Sequence, residues 1–251
     1  MKPIDQFTGK ADAYAKYRPS YPAVYVDYLI EASGVTSTSV IADIGSGTGI
    51  WTRHLLERGL HVIAVEPNAD MRQLAEASLN HDPGFTSVDG SAEQSNLSEH
   101  NIDLITVAQA FHWFHPERFQ AECKRVLKPD AKVALLWNSR DHRSELIQAD
   151  AELCQHYCPA FKGFSGGIQE KPDVFEHFFR HGQYEYRQFA HPITMDLEGF
   201  IGRHLSASYS LTPEDKQYEA YIDAITALFE RYCDGDQLTI PNITRSYMGS
   251  V

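Results

Sequence analysis

Cysteine is scarce in this sequence, and the cysteines present do not indicate a disulfide framework. Only four occur in 251 residues, which is too few to hold a chain of this length together. Cys154 and Cys158 share one face of a predicted helix, but the neighbouring sequence offers no third metal ligand and no activating base. We therefore expect ordinary buried thiols in a protein of the reducing cytoplasm.

Basic residues are outnumbered, and long apolar runs are missing. Lys and Arg contribute 22 charges against 34 from Asp and Glu, so the formal net charge is −12. Because such a surface repels phosphate backbones and anionic lipids, we expect neither nucleic acid nor a membrane as a partner. No apolar run reaches the length of about 18 residues that indicates a transmembrane helix, and the first residues lack the pattern of a signal peptide.

Short apolar runs alternate with amphipathic stretches through the first 140 residues. The runs predict buried strands, and the stretches between them predict helices. The predicted strands cover residues 40–44, 61–66, 85–88, 102–108 and 132–137. The predicted helices cover residues 22–33, 50–58, 68–79 and 116–127. This alternation is typical of an α/β protein with a doubly wound, mostly parallel sheet that carries helices on both faces.

The second half of the chain is less regular. Residues 143–236 are predicted to form a helical elaboration with one strand at 184–194, and residues 237–251 to form the final strand. Residues 1–34 are predicted to supply an N-terminal lid and helix, and residues 35–142 a ligand-binding core. Since no linker separates these parts, we expect one domain over residues 1–251.

The most informative segment is Asp43-Ile44-Gly45-Ser46-Gly47-Thr48-Gly49, which follows the first predicted strand and opens a helix. Glycines allow a sharp turn and a close ligand approach, and the helix start offers free amides. The dinucleotide fingerprint needs a glycine where this chain has Ile50, and no Gly-Lys-Ser/Thr of a P-loop is present. Because Asp43 would repel a pyrophosphate, the loop favours a nucleoside that carries an ammonium group instead of a phosphate.

A second carboxylate supports the same interpretation. Glu66 ends the second predicted strand, 21 residues after Gly45. A carboxylate at this place can accept hydrogen bonds from both hydroxyls of a ribose. Either acid alone could be a solvated charge at a strand end, but the two together flank a three-glycine loop. The pair therefore indicates a nucleoside site.

These segments resemble the class I S-adenosylmethionine (SAM)-dependent methyltransferases, particularly the type 11 group that acts on small molecules. The resemblance extends over about residues 10–140, and its motifs lie at 40–49, 61–67, 89–93, 111–114 and 127–129. It implies a Rossmann-like fold with a seven-stranded sheet whose last strand is antiparallel, and with extra helices in the C-terminal half. It also implies transfer of the SAM methyl group to an O, N or C atom of a small molecule, with S-adenosylhomocysteine as the product.

The resemblance further implies roles for individual residues at the cofactor. Asp43 would balance the ammonium group of SAM, and Glu66 would bind its ribose. The glycine loop would pass beneath the methionine and ribose. Asn68 would line one face of the adenine together with Pro67 and Met71. The residues expected at the cofactor are Asp43, Gly45, Ser46, Gly47, Gly49, Glu66, Pro67, Met71, Ser91, Ala92, Gln109, Ala110, Tyr14 and Arg18.

Methyl transfer mainly requires alignment of the acceptor and exclusion of water, so few catalytic residues are expected. His112 follows the fourth predicted strand and is the candidate base, because an unperturbed imidazole has a pKa of about 6.5. It could equally be a structural histidine bonded to the backbone. The candidate acceptor contacts, which could instead pack or form surface pairs, are Tyr17, Trp113, Asn138 and Arg140. His112 and His115 lack further ligands nearby, so no metal is expected.

Two other functions stay open at this point. A regulatory protein that binds SAM without transferring its methyl would keep the same cofactor residues but lack an acceptor pocket. A nucleotide-dependent oxidoreductase would bind a nicotinamide dinucleotide, although Ile50 occupies the position where the fingerprint has its third glycine.

Overall fold

The computed structural model describes residues 20–164 and 173–251. In its first half, strands and helices alternate as the sequence predicts. The strands are β1 (Val40–Ile44), β2 (His61–Val65), β3 (Phe85–Val88), β4 (Ile102–Ala108) and β5 (Leu127–Arg140). The helices are α1 (Ala23–Ser33), α2 (Ile50–Leu56), α3 (Ala69–Leu79) and α4 (Pro116–Val126), and a 3₁₀ turn covers Phe111–Trp113.

The second half adds four helices and four strands among the described residues. The helices are α5 (Glu145–Tyr157), α6 (Asp173–Phe178), α7 (Leu197–Leu205) and α8 (Tyr218–Tyr232). The strands are β6 (Glu185–Ala190), β7 (Ile193–Met195), β8 (Leu238–Ile240) and β9 (Asn242–Gly249). A second 3₁₀ turn covers Arg180–Gly182. None of the described helices combines the length and the apolar composition that crossing a membrane requires.

Seven strands form the main sheet, in the order β3-β2-β1-β4-β5-β9-β6. Strands β1 to β5 pair in parallel, and β9 lies antiparallel between β5 and β6. The predicted fold class is therefore confirmed: a doubly wound, mostly parallel seven-stranded sheet with its last strand antiparallel. The strand order reverses between β1 and β4, which is where such sheets bind their ligands.

Two predicted strands are each divided by a proline. The strand predicted at 184–194 is interrupted at Pro192, and the one predicted at 237–251 is interrupted at Pro241. Because proline has no N–H to donate, it breaks the hydrogen-bond ladder at both places. Strands β7 and β8 then pair with each other in a separate small sheet. The expectation of one strand within residues 143–236 and one within 237–251 is wrong.

Strand β5 is also longer than predicted, because it extends beyond residues 132–137 at both ends. Its pairing with β4 shifts after Leu127, and Asp130 has a φ of +62° inside this irregular stretch. Residues 128–132 are mostly polar, so apolar runs do not indicate that this part of the chain belongs to the strand. At the other end, β5 continues to Arg140 because β9 supplies a pairing partner for each residue.

Three apolar clusters hold the described structure together. One face of the main sheet packs against α1, α2 and α3 through residues such as Tyr25 and Trp51. The other face packs against α4 and α6 through residues such as Phe119 and Phe178. Helices α5, α7 and α8 form a third cluster with β7 and β8 around Phe200 and Tyr221.

Candidate functional site

The loop after β1 contains three glycines with left-handed backbone conformations. The φ angles of Gly45, Gly47 and Gly49 are +71°, +57° and +81°. A Cβ atom on Gly45 would lie 2.7 Å from the Cβ of Ala110, and one on Gly49 would lie 2.6 Å from Cδ1 of Leu79. Glycine is therefore required at these two positions by both conformation and space.

This loop forms one wall of a cavity of about 320 Å³ near the point where the strand order reverses. A cavity of this size falls in the range of small-molecule sites. The residues that line it are Gly45, Gly47, Glu66, Pro67, Asn68, Met71, Ser91, Ala92, Glu93, Ala108, Gln109, Ala110, Trp113 and Phe114. The fold thus gathers most of the described residues expected at the cofactor, together with Trp113 from the acceptor set.

Glu66 is fixed on the cavity wall by two backbone donors. The N–H of Gly47 donates to its Oε2 at 2.9 Å, and the N–H of Asn68 donates to its Oε1 at 2.8 Å. The side chain is only 7% exposed. Burial raises the pKa of Glu66, and the two backbone hydrogen bonds oppose that shift. Each oxygen retains a second lone pair, so the carboxylate can accept from two neighbouring hydroxyls.

Asp43 lies beneath the loop, away from the cavity lining. It is completely buried, and its carboxylate accepts hydrogen bonds from the hydroxyls of Thr52 at 2.6 Å and Thr106 at 3.3 Å. Burial is the main cause that raises the pKa of Asp43 to about 7. Residue spacing alone does not indicate these two threonines, because their pairing with Asp43 depends on the fold.

Known proteins match this chain over most of its length. Residues 42–135 match a family model described as a methyltransferase domain. An uncharacterised methyltransferase of Mycobacterium tuberculosis is 30% identical over 245 residues, which are 95% of this chain and 92% of that protein. The chain belongs to the methyltransferase family.

Solved structures of low sequence identity share the fold of this methyltransferase. A protein from Anaeromyxobacter dehalogenans, provisionally assigned as a type II methyltransferase, aligns with a TM-score of 0.64 at 21% identity and covers 93% of this chain and 98% of its own. A phosphoethanolamine N-methyltransferase of Haemonchus contortus, bound to S-adenosylhomocysteine, aligns with a TM-score of 0.52 at 15% identity. That alignment covers 98% of this chain and 56% of the Haemonchus chain.

Glu93 and Phe114 also line the cavity of the methyltransferase and, like Ala108 at the end of β4, were missing from the predicted set. Oε1 of Glu93 accepts the N–H of His115 at 2.9 Å, which ties the loop after β3 to the segment after β4. The Phe114 ring would lie 3.2 Å from a Cβ on Gly45. Glu93 is the last residue of the motif at 89–93, and Phe114 is the last residue of the motif at 111–114. Their positions in these motifs could therefore have indicated them.

Gln109 joins the cavity to the neighbouring strand. It has a φ of +60°, which is unusual for a residue with a side chain. Its N–H donates to the carbonyl of Leu136 at 2.9 Å, and its Nε2 donates to the carbonyl of Asn138 at 3.0 Å. Strained backbone of this kind persists where surrounding contacts fix it, and it clusters at functional sites.

The remaining predicted site residues lie elsewhere or outside the described part. His112 is half-buried beside Trp113 and is not among the described residues that line the cavity. Ser46 and Gly49 shape the loop without lining the cavity, and Asn138 and Arg140 lie at the end of β5. Tyr14, Tyr17 and Arg18 lie outside the described residues.

The cysteines are free thiols, as expected, but one of them is not fully buried. Cys233 is only half-buried, because it follows the last residue of α8. Sγ of Cys154 lies 3.7 Å from Oδ1 of Asp150 and 3.9 Å from Nδ1 of His204. The fold thus supplies neighbours that the local sequence did not show. Asp150 is already paired, since its two oxygens lie 3.3 Å from His204 and from Arg140.

Proposed function

We propose that this methyltransferase binds SAM in the 320 Å³ cavity and transfers the methyl group to a small-molecule acceptor. The observation that carries the proposal is the orientation of Glu66, whose two oxygens are held by backbone N–H groups beside a glycine loop. A carboxylate fixed in this way suits a ribose with both hydroxyls free. The Haemonchus methyltransferase of the same fold, which is bound to S-adenosylhomocysteine, supports the same cofactor.

The electrostatics of the cavity fit SAM better than a dinucleotide. Asp43, Glu66 and Glu93 lie under or along the cavity, and no Lys or Arg is among the described residues that line it. Positive groups such as an ammonium and a sulfonium are therefore favoured, and phosphates are repelled. The N–H of Gly47 donates to Glu66, whereas in a dinucleotide site such loop amides face the pyrophosphate.

The rest of the lining fits an adenosyl group. Pro67, Met71 and Ala92 offer an apolar slot next to Glu66, and Asn68 starts α3 by accepting the N–H of Met71 at 3.0 Å. A Cβ on Gly47 would point toward Sδ of Met71, so the absence of a side chain keeps that space open. Glu66 would hold the ribose, and Asp43 would balance the ammonium group through its charge.

When bound, SAM supplies a methyl group already activated by a sulfonium. The chain then has to align the acceptor nucleophile about 3 Å from the methyl carbon and to exclude water. Trp113 and Phe114 supply apolar walls for this purpose. Gln109, which follows β4, holds that end of β4 to β5 by its hydrogen bond to the carbonyl of Asn138. The net charge of −12 favours a small molecule over nucleic acid as the acceptor.

Calorimetry with SAM, S-adenosylhomocysteine and NAD tests the proposal. We expect both sulfur compounds to bind the wild-type protein and NAD not to bind. Glu66→Gln should weaken SAM binding about 10- to 100-fold, because a hydrogen bond to a charged group contributes about 1.5–3 kcal/mol. Glu219→Gln, which also removes one negative charge but at an exposed position on α8, should leave the affinity unchanged. Binding of NAD without SAM, or an unaltered affinity in Glu66→Gln, would contradict the proposal.

A further inference from the structure

Asn242 buries a side-chain amide that has no hydrogen-bond partner within the described ranges 20–164 and 173–251. The residue begins β9 and is only 3% exposed, and both Oδ1 and Nδ2 are unpaired. Buried amides are nearly always hydrogen-bonded, because burial without a partner is unfavourable. An unpaired donor and an unpaired acceptor on the same buried side chain therefore point to a polar ligand.

Arg140 lies directly opposite Asn242 in the antiparallel pair of β5 and β9. Residues that face each other in such a pair are about 5 Å apart at Cα and point to the same face of the sheet. Nε of Arg140 lies 3.3 Å from Oδ2 of Asp150, and its Cζ lies 3.7 Å from the ring centre of Phe164. The ion pair engages Nε and the ring covers one face of the guanidinium, whose two terminal nitrogens are further hydrogen-bond donors.

Arg140 and Asn242 do not line the cofactor cavity, but a hydrogen bond links its wall to the same end of β5. Gln109, which lines that cavity, donates to the carbonyl of Asn138. Arg140 is two residues further along β5, so its Cα lies about 7 Å from that of Asn138. The side chain of Asn138 is already engaged: Nδ2 donates to the carbonyl of Ser20 at 2.8 Å, and Oδ1 accepts from Thr244 at 2.6 Å. At this end of the strand pair, Arg140 and Asn242 thus retain the hydrogen-bonding capacity.

We propose that Arg140 and Asn242 recognise a methyl acceptor that carries a carboxylate with a hydroxyl or amino group next to it. The guanidinium and Nδ2 of Asn242 donate to the carboxylate, and Oδ1 of Asn242 accepts from the neighbouring O–H or N–H. A guanidinium matches the planar geometry of a carboxylate, and an amide presents a donor and an acceptor side by side. This inference rests on the proposed methyl transfer from SAM and specifies the acceptor class.

The first test compares small hydroxy and amino carboxylic acids with their methyl esters. Each compound is offered at millimolar concentration as an acceptor for radiolabelled methyl from SAM. In parallel, each is added to the protein loaded with S-adenosylhomocysteine, and the melting temperature is measured. We expect acids to accept methyl or to raise the melting temperature, and their esters to do neither. Equal behaviour of acids and esters, or no response to any acid, would overturn the proposal.

Variants of Asn242 provide the second test, with the most responsive acid as the probe. Asn242→Ala should weaken binding or raise KM about tenfold, which is the loss expected for one or two hydrogen bonds. Asn242→Asp, which has the same shape but repels a carboxylate, should do so about 100-fold. In both variants the affinity for SAM should stay unchanged. Asn101→Ala and Asn101→Asp, at the exposed opposite end of the sheet, are the matched controls.

A purely structural role for Asn242 makes different predictions. It would lower the melting temperature of ligand-free Asn242→Ala and leave KM unchanged, whereas loss of an unpaired amide should leave that temperature unchanged or raise it. Failure of the wild-type protein to bind SAM would refute the proposed function itself. Normal SAM binding, with acid binding unaltered in both Asn242 variants, would refute only the acceptor class.

Discussion

Asp43→Asn is expected to stabilise the ligand-free methyltransferase at neutral pH while weakening its binding of SAM. The Asp43 carboxylate is completely buried, and burial raises its pKa from 3.8 to about 7. Asparagine has nearly the same shape. Because the hydroxyls of Thr52 and Thr106 can accept as well as donate hydrogen bonds, the amide can pair with both.

The effect of Asp43 on stability depends on pH with a defined sign. Below about pH 4 the carboxyl is protonated in both the folded and the unfolded state and contributes nothing. Between about pH 4 and pH 7 the unfolded state has released the proton and the folded state still binds it, so the free energy of unfolding decreases as pH rises. A pKa raised from 3.8 to about 7 corresponds to about 4 kcal/mol lost above pH 7. Asparagine carries no charge, so the variant should gain up to that amount.

Urea unfolding of the ligand-free wild-type and Asp43→Asn proteins at about pH 4.5, 6 and 8 measures the difference. The advantage of the variant should be smallest at the lowest pH and largest at the highest. Asp223→Asn on the exposed surface of α8 removes the same charge and should change the stability little at any of these pH values. Calorimetry should show weaker SAM binding in Asp43→Asn alone. A variant that is less stable than wild type at pH 8, or a difference independent of pH, would refute the reasoning.

Two further predictions concern the same loop. The affinity of the wild-type protein for SAM should fall as the pH drops below about 7, because protonation of Asp43 would remove the charge that we propose balances the ammonium. This pH dependence should disappear in Asp43→Asn. A parallel pH profile in both proteins, measured by calorimetry, would contradict the proposed role. Gly45→Ala should destabilise the protein by about 3 kcal/mol, since it combines a φ of +71° with a 2.7 Å approach to Ala110. Gly59→Ala has a similar φ of +72° but open space around it, so it should cost only about 1 kcal/mol in chemical unfolding; equal losses would show that the contact with Ala110 does not matter.

The first half of the fold could be predicted because its signals are local. Each of the first five strands is centred on a short apolar run, and the loop at residues 43–49 is marked by its glycines and its acid. The strand breaks at Pro192 and Pro241 were also readable in principle, since proline cannot donate to a ladder. They were missed because apolar residues continue on both sides of each proline.

The partners of the candidate site residues could not be predicted, because they come from distant parts of the chain. Thr106 reaches Asp43 across 63 positions in the sequence, and Thr244 reaches Asn138 across 106. The pairing of Arg140 with Asn242 likewise exists only once β9 inserts between β5 and β6. Residue type and spacing therefore indicated which side chains are chemically suited to the site, whereas the sheet order decides which of them meet.

Three features that are unfavourable for folding lie toward the same edge of the sheet. Asp43 is a buried acid, Gln109 has a φ of +60°, and Asn242 has an unpaired buried amide. Of the three, only Gln109 lines the cavity, but features of this kind suit a ligand site, since bound groups can compensate a charge or complete a hydrogen bond. We propose that Asp43 interacts with the ammonium of SAM and Asn242 with the acceptor. We therefore expect SAM to stabilise the protein through Asp43 and the acceptor to stabilise it through Asn242.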